Sequence, residues 1–464
     1  MTRAATMADP RVRVEETRDL GPVPAFVAHF RRFEEQQGAG CRSSLHDVRT
    51  GAIERFQTLG FPTTKHEEWR FTNVAPIAKQ AWKPAAPGAE GCEDCARAIR
   101  ADLAAHFFGD WPGARVTLVN GRVSRALSSA GGLPAGVFVG GLADALRDRP
   151  ALVEPHLARH ARFDDHGLVA LNTAFIEDGA FVHVPRGTVV ERPIVIVHAT
   201  FAPEPTVVQP RTLIVAEERS DVHVVELHCA PAGQVYFANA VTEIVQASDA
   251  IVEHVKLEAE SVAAYHVASI HARCERASSF ANRNVSYGGG LVRNDITAVF
   301  AGEGCDYQLD GLYILSDRQH VDNHTVVDHA APHCGGRETY RGILDGRSVG
   351  IFNGRIIVRP GAQKTDAKQT NKNLLLSDEA QVETKPQLEI YANDVKCTHG
   401  ATVGRLDEES LFYLRSRGLP AGVARGLLTY GFASELVGRV KVEPVRAELE
   451  RLFFRRFGGE GVPG

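Results

Sequence analysis

More than 200 consecutive residues of this chain, from about Asn172 to Arg405, consist of short runs rich in Val, Ile and Thr. A few residues of Gly, Asp, Asn or Ser separate these runs, and no helical period appears among them. Such runs are typical of β-strands joined by tight turns. A stretch of this length without helices must bury its strands in a sandwich, a barrel, a propeller or a solenoid.

A repeat near the end of this stretch favours the solenoid. Three octapeptides align as a turn, a small or branched residue and an alternating strand: PGAQKTDA (360–367), DEAQVETK (378–385) and NDVKCTHG (393–400). Their offsets are 18 and 15 residues, so we expect each unit to hold two or three strands. A propeller blade needs about 40 residues. The spacing therefore predicts a mainly β chain folded as a parallel β-helix.

Segments of a different character flank the predicted β-helix. Residues 24–59 have a helical period, which we interpret as one amphipathic helix ending at Gly60. An Asn-Gly turn within 115–123 indicates a hairpin, and the end of the chain predicts three helices, the first capped by Asp407. The predicted domains are an N-terminal helical and mixed α/β domain (1–165), a parallel β-helix core (166–405) and a C-terminal helical domain (406–464).

Composition limits the classes of function. The chain has 52 Lys and Arg against 57 Asp and Glu, with a formal net charge of -5, whereas nucleic-acid and anionic-membrane binders lean basic. The sequence has neither a long apolar run nor an apolar signal segment at its start. We therefore expect a cytoplasmic protein that binds no nucleic acid and no membrane. No lysine follows a glycine, so a Walker A loop is absent and we expect no nucleotide site in this chain.

The number and spacing of the cysteines are also those expected of a cytoplasmic protein. Eight are spread through the chain without the dense spacing of a disulfide framework, so we expect free thiols. One C-x-x-C pair, Cys92 and Cys95, lies in a stretch rich in Gly, Pro and Ala and has no second pair beside it. That context is weak support for a metal or redox role, and the role of the pair stays open.

The densest set of metal-ligand side chains lies in HVDNHTVVDHAAPHC. Its members are His320, His324, His329, His333 and Cys334. Imidazole and thiolate together suit zinc, iron or copper. Only residues of equal parity share a strand face, which pairs the first histidine with the second and the third with the fourth. One face thus offers at most two ligands; structural histidines are the alternative, and His329, His333 and Cys334 are the weaker site candidates.

A second candidate site lies in DVKCTHGATVG. Cys397 and His399 share the parity of the apolar residues of this segment, so we expect both side chains to face inward. At about 3.3 Å of rise per residue their Cβ atoms stand roughly 6.6 Å apart, near the limit for two ligands of one metal ion. The strand supplies half of a site, and a buried thiol beside a core histidine is the alternative interpretation.

Three segments resemble the SufB/SufD family of the bacterial SUF machinery for iron–sulfur cluster assembly. They are KHEEWRFTNVAPI (65–77), the His-rich segment with the YRGILDGRSVGIFNGRIIV that follows it (320–358), and the segment beginning QTNKNLLLSDEAQVETK (369–420). The resemblance implies a right-handed parallel β-helix between an N-terminal domain and a C-terminal helical domain. SufB-like chains tend to carry a cysteine where this chain has Leu414, which favours the SufD branch over its paralogue SufB.

The resemblance also implies a function: a non-enzymatic scaffold subunit in a SufB–SufC–SufD complex. A SufB-like paralogue would pair through the β-helices, and a SufC-like ATPase would bind the C-terminal helices. A nascent iron–sulfur cluster, transient and shared with SufB, would form at the interface, where the family's K-C-x-H histidine corresponds to His399, beside Cys397. A homodimer of the isolated chain and a bound flavin stay open. The expected docking residues for the ATPase are Leu411, Phe412, Tyr430 and Phe432.

Two other functions stay open on the residues alone. A carbohydrate-active β-helix enzyme needs paired carboxylates on a groove. A free-standing metalloenzyme would use ligands between His320 and Cys334. The candidate carboxylate pairs are Asp306 with Asp310 and Asp322 with Asp328.

Overall fold

The computed structural model describes residues 23–37, 45–85, 88, 91–105 and 111–457. It confirms the predicted fold: a parallel β-helix with an N-terminal α/β region before it and a helical region after it. The helices are α1 (Val23–Gln37), α2 (His46–Leu59), α3 (Ala75–Lys79), α4 (Glu93–Ala105), α5 (Leu142–Asp148), α6 (Pro150–Val153), α7 (Gly167–Ala174), α8 (Glu408–Ser416), α9 (Ala421–Arg439) and α10 (Glu443–Phe457).

The strands begin in the N-terminal region and continue through the β-helix. The first seven are β1 (Lys83–Pro84), β2 (Arg115–Val119), β3 (Arg122–Val123), β4 (Phe138–Gly141), β5 (Ala180–Val184), β6 (Ile194–Ala199) and β7 (Thr206–Val208). The next seven are β8 (Arg211–Ala216), β9 (Asp221–Cys229), β10 (Tyr236–Gln246), β11 (Ile251–Ala259), β12 (Tyr265–Cys274), β13 (Ser279–Ser286) and β14 (Leu291–Phe300). The last seven are β15 (Asp306–Leu315), β16 (His320–His329), β17 (Gly335–Leu344), β18 (Val349–Val358), β19 (Asp366–Leu375), β20 (Gln381–Ile390) and β21 (Lys396–Gly404).

Successive strands of the β-helix alternate between two sheets. From β8 onward, the even-numbered strands lie side by side in one sheet and the odd-numbered strands from β9 to β21 in the other. Neighbours within each of these series are parallel. Paired residues lie 26 to 32 positions apart, as Tyr265 with Leu291 and Val349 with Gln381 show. One coil of the β-helix therefore contains one strand of each sheet.

The repeat expected from the sequence is half of the structural repeat. Segments 360–367, 378–385 and 393–400 each contain a turn and the first residues of one strand, β19, β20 and β21. The expectation of two or three strands in each unit was therefore wrong. Because consecutive strands belong to opposite sheets, an offset of 15 or 18 residues advances the chain by half a coil.

The interior of the β-helix has an apolar part and a polar part. Within β9, Val222 and Val224 belong to the main apolar core, whereas Glu226 and His228 on the same face are buried outside it. β11 and β13 repeat this order, with apolar residues first and polar residues later. The opposite face of these strands packs against α4 and the C-terminal helices. Both faces of the odd-numbered sheet are thus covered along most of its length.

The N-terminal helical segment differs from the prediction. The single helix expected over 24–59 is two helices, α1 and α2, and residues 38–44 lie outside the described residues. Two glycines in that short stretch disfavour a continuous helix. The predicted end of the segment is confirmed, since α2 stops at Leu59 and Gly60 follows with a φ of 65°.

Two other predicted features are confirmed. β2 and β3 form an antiparallel hairpin, joined by Asn120 and Gly121, which both have positive φ. At the other end of the chain, Asp407 caps α8, because its Oδ2 accepts a hydrogen bond from the Ser410 N–H at 2.9 Å. Within the ranges that the structure describes, no helix is both long enough and apolar enough to cross a bilayer.

Gly311 allows a test of packing between coils. A Cβ added to Gly311 would overlap the ring of Tyr340, a fully buried side chain on the adjacent strand. We expect Gly311→Ala to lower the free energy of unfolding by about 1–3 kcal/mol, the usual cost of overpacking, as measured by urea denaturation. Gly361→Ala is the control, because a Cβ there meets no atom within 4 Å. Equal losses in both variants would contradict the packing argument.

Candidate functional site

The strand that carries the second candidate site is the last strand of its sheet. β21 pairs with β19 from Lys396 to Gly404, and among the described residues no strand covers its other edge. Its side chains are exposed except for the half-buried Cys397. An uncovered edge presents unpaired N–H and C=O groups that another chain can pair with. The β-helix is therefore open at the end where the candidate residues lie.

Cys397 and His399 lie on one face of β21, because the ladder to β19 has no bulge. Cys397 lies opposite the buried Ala367 and contacts the apolar core, whereas His399 lies opposite the buried Gln369 and is exposed. Both therefore continue inward-facing columns of the β-helix. His399 reaches solvent because no further coil covers it, so the interpretation of a core histidine was wrong.

A buried polar column lies beneath His399. Gln369, its partner in register, donates a hydrogen bond from Nε2 to Glu338 Oε2 at 2.7 Å. Glu338 and Gln369 are both fully buried. Burial raises the pKa of Glu338 to about 7, so this carboxyl keeps its proton in mildly acidic solution. The exposed imidazole thus lies above a buried column with little charge in mildly acidic solution.

The thiol of Cys397 is not activated by its surroundings. Burial raises its pKa, the Asp366 carboxylate adds to that effect, and a hydrogen bond with the Ala367 backbone opposes it. Metal ligation requires the thiolate, so binding of a metal ion there would release a proton. Every cysteine within the described residues is a free thiol, as expected, and Cys41 lies outside them.

The weaker candidates of the His-rich segment do not come together. His329 is buried against the stacked pair of Phe300 and Tyr307, with each ring centroid 5.5 Å from its own, and burial lowers its pKa to about 4. His333 occupies a turn with a φ of 58° and is exposed. Cys334 is buried and its Sγ lies 3.3 Å from the Gly302 carbonyl oxygen. In the described part of the chain, none of them belongs to a group of three potential metal ligands.

The first histidine of that segment helps to hold the N-terminal region on the β-helix. Thr72 Oγ1 lies 2.9 Å from His320 Nε2 and donates to Asp322 Oδ2 at 2.5 Å. Arg293 donates to the same carboxylate at 2.8 Å and stacks on Trp69, 3.8 Å from the ring centroid. Two of the segments that carry the sequence resemblance are therefore in direct contact, and the contact is structural.

Three of the four carboxylates considered for glycoside chemistry form ion pairs. Asp310, Asp322 and Asp328 are buried, and only Asp306 of the four is exposed. A glycosidase needs two carboxylates that face one substrate groove. These four do not provide such a pair. The ion pairs are Asp310 with Arg283 and Arg439, Asp322 with Arg293 and His324, and Asp328 with Arg359.

The expected docking residues differ in exposure. Phe412 is 73% exposed, Leu411 is half-buried, and α8 as a whole has no buried residue. Tyr430 packs on α10, and Phe432 lies under the guanidinium of Arg341, 5.5 Å from its ring centroid. Of the four residues, Phe412 on α8 is thus the most exposed.

The densest group of ligand-type side chains among the described residues was not predicted from the sequence. His198, Glu226 and His228 lie together inside the β-helix, and Glu260 and His266 lie beside them, all buried. They come from separate coils and are up to 68 positions apart in the chain. One feature of the sequence could have revealed this group. His198 and His228 are paired in register on adjacent coils, and both occupy positions whose side chains face inward.

Comparison with known proteins decides the family. The family described as SUF system FeS cluster assembly, SufBD core domain, matches residues 198–432, which include most of the β-helix, and the SufBD protein N-terminal region matches residues 24–196. The chain belongs to the SufBD family. The resemblance seen in the sequence is thereby confirmed, and membership supports a role in iron–sulfur cluster assembly.

Relatives extend over most of the chain. An iron–sulfur cluster assembly SufBD family protein of Synechocystis is 30% identical over 422 residues, covering 88% of this chain and 90% of the relative. Escherichia coli SufD is 28% identical over 411 residues, covering 88% and 92%. Bacillus subtilis SufD is 28% identical over 327 residues, covering 69% and 74%. The names of these relatives describe proteins of iron–sulfur cluster assembly.

Glu338 provides a pH test of the buried column. Because burial raises its pKa from 4.5 to about 7, the unfolded chain loses this proton at a lower pH than the folded protein. The stabilisation is full below about pH 4.5 and is lost as the pH rises to about 7. At 1.36 kcal/mol per pKa unit, the free energy of unfolding should fall by about 3 kcal/mol across this window.

Urea denaturation between pH 4.5 and 8 measures this loss. Glu338→Gln should remove that part of the pH dependence, because the amide does not ionise. Glu379→Gln, at an exposed position, is the control and should retain the wild-type profile. A profile for Glu338→Gln that parallels the wild type would show that Glu338 does not titrate in this range.

Proposed function

We propose that this chain is a non-enzymatic scaffold subunit of a complex with a SufB-like paralogue and a SufC-like ATPase, in the cytoplasm. A nascent iron–sulfur cluster, or the metal that starts it, would be held transiently at the interface between the two β-helices. The observation that carries the proposal is the exposed imidazole of His399 on an uncovered edge strand, beside the thiol of Cys397.

The ligand set at this end is incomplete. A thiol and an imidazole are ligands that iron and zinc accept. Iron–sulfur clusters and structural metal sites usually take about four protein ligands. In the part of the chain that the structure describes, no third His, Cys, Asp or Glu completes a group with Cys397 and His399. The missing ligands would come from a partner chain.

The same end of the β-helix has a surface that fits a strand-bearing partner. The free edge of β21 offers backbone donors and acceptors, and the adjacent side chains of Tyr391 and Val403 are 62% and 50% exposed. Pairing of a second chain with this edge would satisfy its backbone groups and bury these apolar side chains. A paralogue with its own β-helix would bring a strand of matching geometry to this position.

The C-terminal helices provide a second surface, for the ATPase. On α8, Phe412 and Tyr413 are 73% and 56% exposed. Exposed aromatic side chains on one helix are typical anchors of protein interfaces. The sequence has no Walker A loop, so ATP hydrolysis in the complex would come from the partner. We place Leu411 and Phe412 of α8 at the centre of this contact. Tyr430 and Phe432 of the next helix, α9, would be further docking residues.

His399→Ala tests the shared site. When the chain is co-expressed with SufB-like and SufC-like partners, the variant complex should have the wild-type subunit composition but at least about tenfold less cluster, because a ligand is lost. Size-exclusion chromatography gives the composition, and iron, acid-labile sulfide and visible absorption give the cluster. Thr398→Ala, exposed on the opposite face of β21, is the control. A full complement of cluster in the His399→Ala complex would rule out the role assigned to His399.

Phe412→Glu tests ATPase docking. A charge in the centre of an apolar contact is costly to bury, so the tagged variant should retain the SufB-like subunit and lose the SufC-like subunit in affinity purification. Val262→Glu is the matched control, because Val262 is 69% exposed on the β-helix, outside α8. Retention of both partners by Phe412→Glu at the wild-type ratio would move the docking surface elsewhere.

A further inference from the structure

The proposed function leaves unused a group of ionisable side chains inside the β-helix. His198 on β6 and Glu226 and His228 on β9 face inward and are at most 4% exposed. One ligand atom from each lies within 4.8 Å of the other two. His198 and His228 are neighbours in register, and Glu226 precedes His228 by two residues on the same strand face. Two coils thus bring two imidazoles and a carboxylate together.

The spacing of these atoms suits coordination of a metal ion. His198 Nε2 and His228 Nε2 each lie 3.2 Å from Glu226 Oε1. With bonds of about 2.0–2.1 Å, the ligand atoms of a tetrahedral ion stand about 3.3–3.4 Å apart. The observed contacts therefore need little adjustment to hold one ion between the three groups.

Four polar atoms lie around Glu226 Oε1. Besides the two imidazole nitrogens, the hydroxyls of Thr212 and Thr242 lie 3.4 and 3.2 Å from it. One carboxylate oxygen offers about two lone-pair sites. Two of these neighbours have another partner, since His198 Nε2 lies 3.1 Å from Thr212 Oγ1 and Thr242 Oγ1 lies 3.1 Å from Oε2. With a cation present, both imidazoles could direct lone pairs at the ion.

The second oxygen of Glu226 is fixed by a support that metal sites commonly have. His254 Nε2 lies 2.8 Å from Glu226 Oε2, and Asn282 Nδ2 lies 2.9 Å from His254 Nδ1. The amide N–H donates to Nδ1, which leaves the proton of His254 on Nε2, where it donates to the carboxylate. A hydrogen bond to the far oxygen of a ligating carboxylate orients that ligand toward its ion.

A second, independent observation concerns the side chains next to His228. His266 is fully buried, yet neither of its ring nitrogens has a hydrogen bond. Its Nδ1 lies 2.7 Å from Glu260 Oε2, but without the alignment of a hydrogen bond, and that oxygen has no other partner. Buried polar groups are normally satisfied. Here, buried ligand atoms remain unpaired beside the three converging groups.

We propose that His198, Glu226 and His228 bind one divalent transition-metal ion, Zn²⁺ or Fe²⁺, in the interior of the β-helix. Two imidazoles and one carboxylate suit both ions and leave a coordination position open. The hydroxyl of Thr212 or Thr242 is the nearest oxygen for that position. Since the ligands are buried, the ion is enclosed when the coils form and cross-links two of them. This site is separate from the open end at His399 and does not depend on the proposed function.

Metal content of the full chain tests the proposal. Chain purified without oxygen from cells grown with added zinc, or with added iron, should keep about one ion per chain through gel filtration in EDTA, because the site is enclosed. Elemental analysis of the two preparations distinguishes the ions. Glu226→Gln, which keeps the side-chain shape, should retain at least about tenfold less metal. The absence of both metals from the wild-type chain would overturn the proposal.

A matched control separates ligand loss from general damage to the core. His329→Gln removes another buried imidazole whose ring nitrogens have no hydrogen bond, and this variant should keep the ion. Equal metal content in Glu226→Gln and wild type would also overturn the proposal. His399→Ala should keep the interior ion, so failure of the shared cluster site and failure of this site are distinguishable.

Refolding with cobalt provides a test that does not require a folded variant. Wild-type chain refolded from urea with Co²⁺ should show visible absorption of a low-symmetry, nitrogen- and oxygen-ligated ion and a higher melting temperature than chain refolded in EDTA. Co²⁺ added to chain that is already folded should bind much more slowly. Refolding without a new absorption band and without a change in melting temperature would contradict an interior site.

Discussion

In a parallel β-helix, the backbone of each coil is hydrogen bonded by the coil before it and the coil after it. This pairing between coils determines the arrangement of the side chains. It fixes the register, stacks equivalent side chains in columns, and leaves the final strand, β21, without a partner on one edge. The position of His399 at that edge is thus a consequence of where the coils stop, and its exposure does not require any special local geometry.

Stacking in columns also explains how ionisable side chains are held inside. An isolated buried charge is costly, but each coil adds a donor or acceptor directly above the one before. Gln369 bonds Glu338 in this way, and His254 bonds Glu226 diagonally, because His254 is two residues out of register with it on the adjacent coil. The polar half of the interior therefore contains short chains of hydrogen bonds, although other buried atoms, among them both ring nitrogens of His266, have no hydrogen bond within the described residues.

Much of the fold could be predicted from the sequence because local rules decide it. The Asn-Gly hairpin, the end of α2 at Gly60 and the cap at Asp407 each depend on a few adjacent residues. Contacts between residues of different coils could not be predicted from such local rules. Strands of the two sheets have the same local sequence pattern, so the octapeptide repeat recurs at every strand. It therefore corresponds to half a coil. Neighbouring histidines of the His-rich segment suggested one site, but His320 and His324 lie on one face of β16, His329 lies on the other, and His333 lies in the turn after it. The interior group is scattered over three coils.

The length of the coils differs, but the length of the strands hardly does. From β14 to β20 every strand has ten residues, whereas paired positions are 26 to 32 residues apart across the β-helix. A residue inserted within a strand would move every later side chain of that strand to the opposite face. A residue inserted in a corner between strands would leave the faces of all side chains unchanged. Corners are therefore where such a chain can change length during evolution, and where peptide tags or loops can be inserted with least disturbance to the columns.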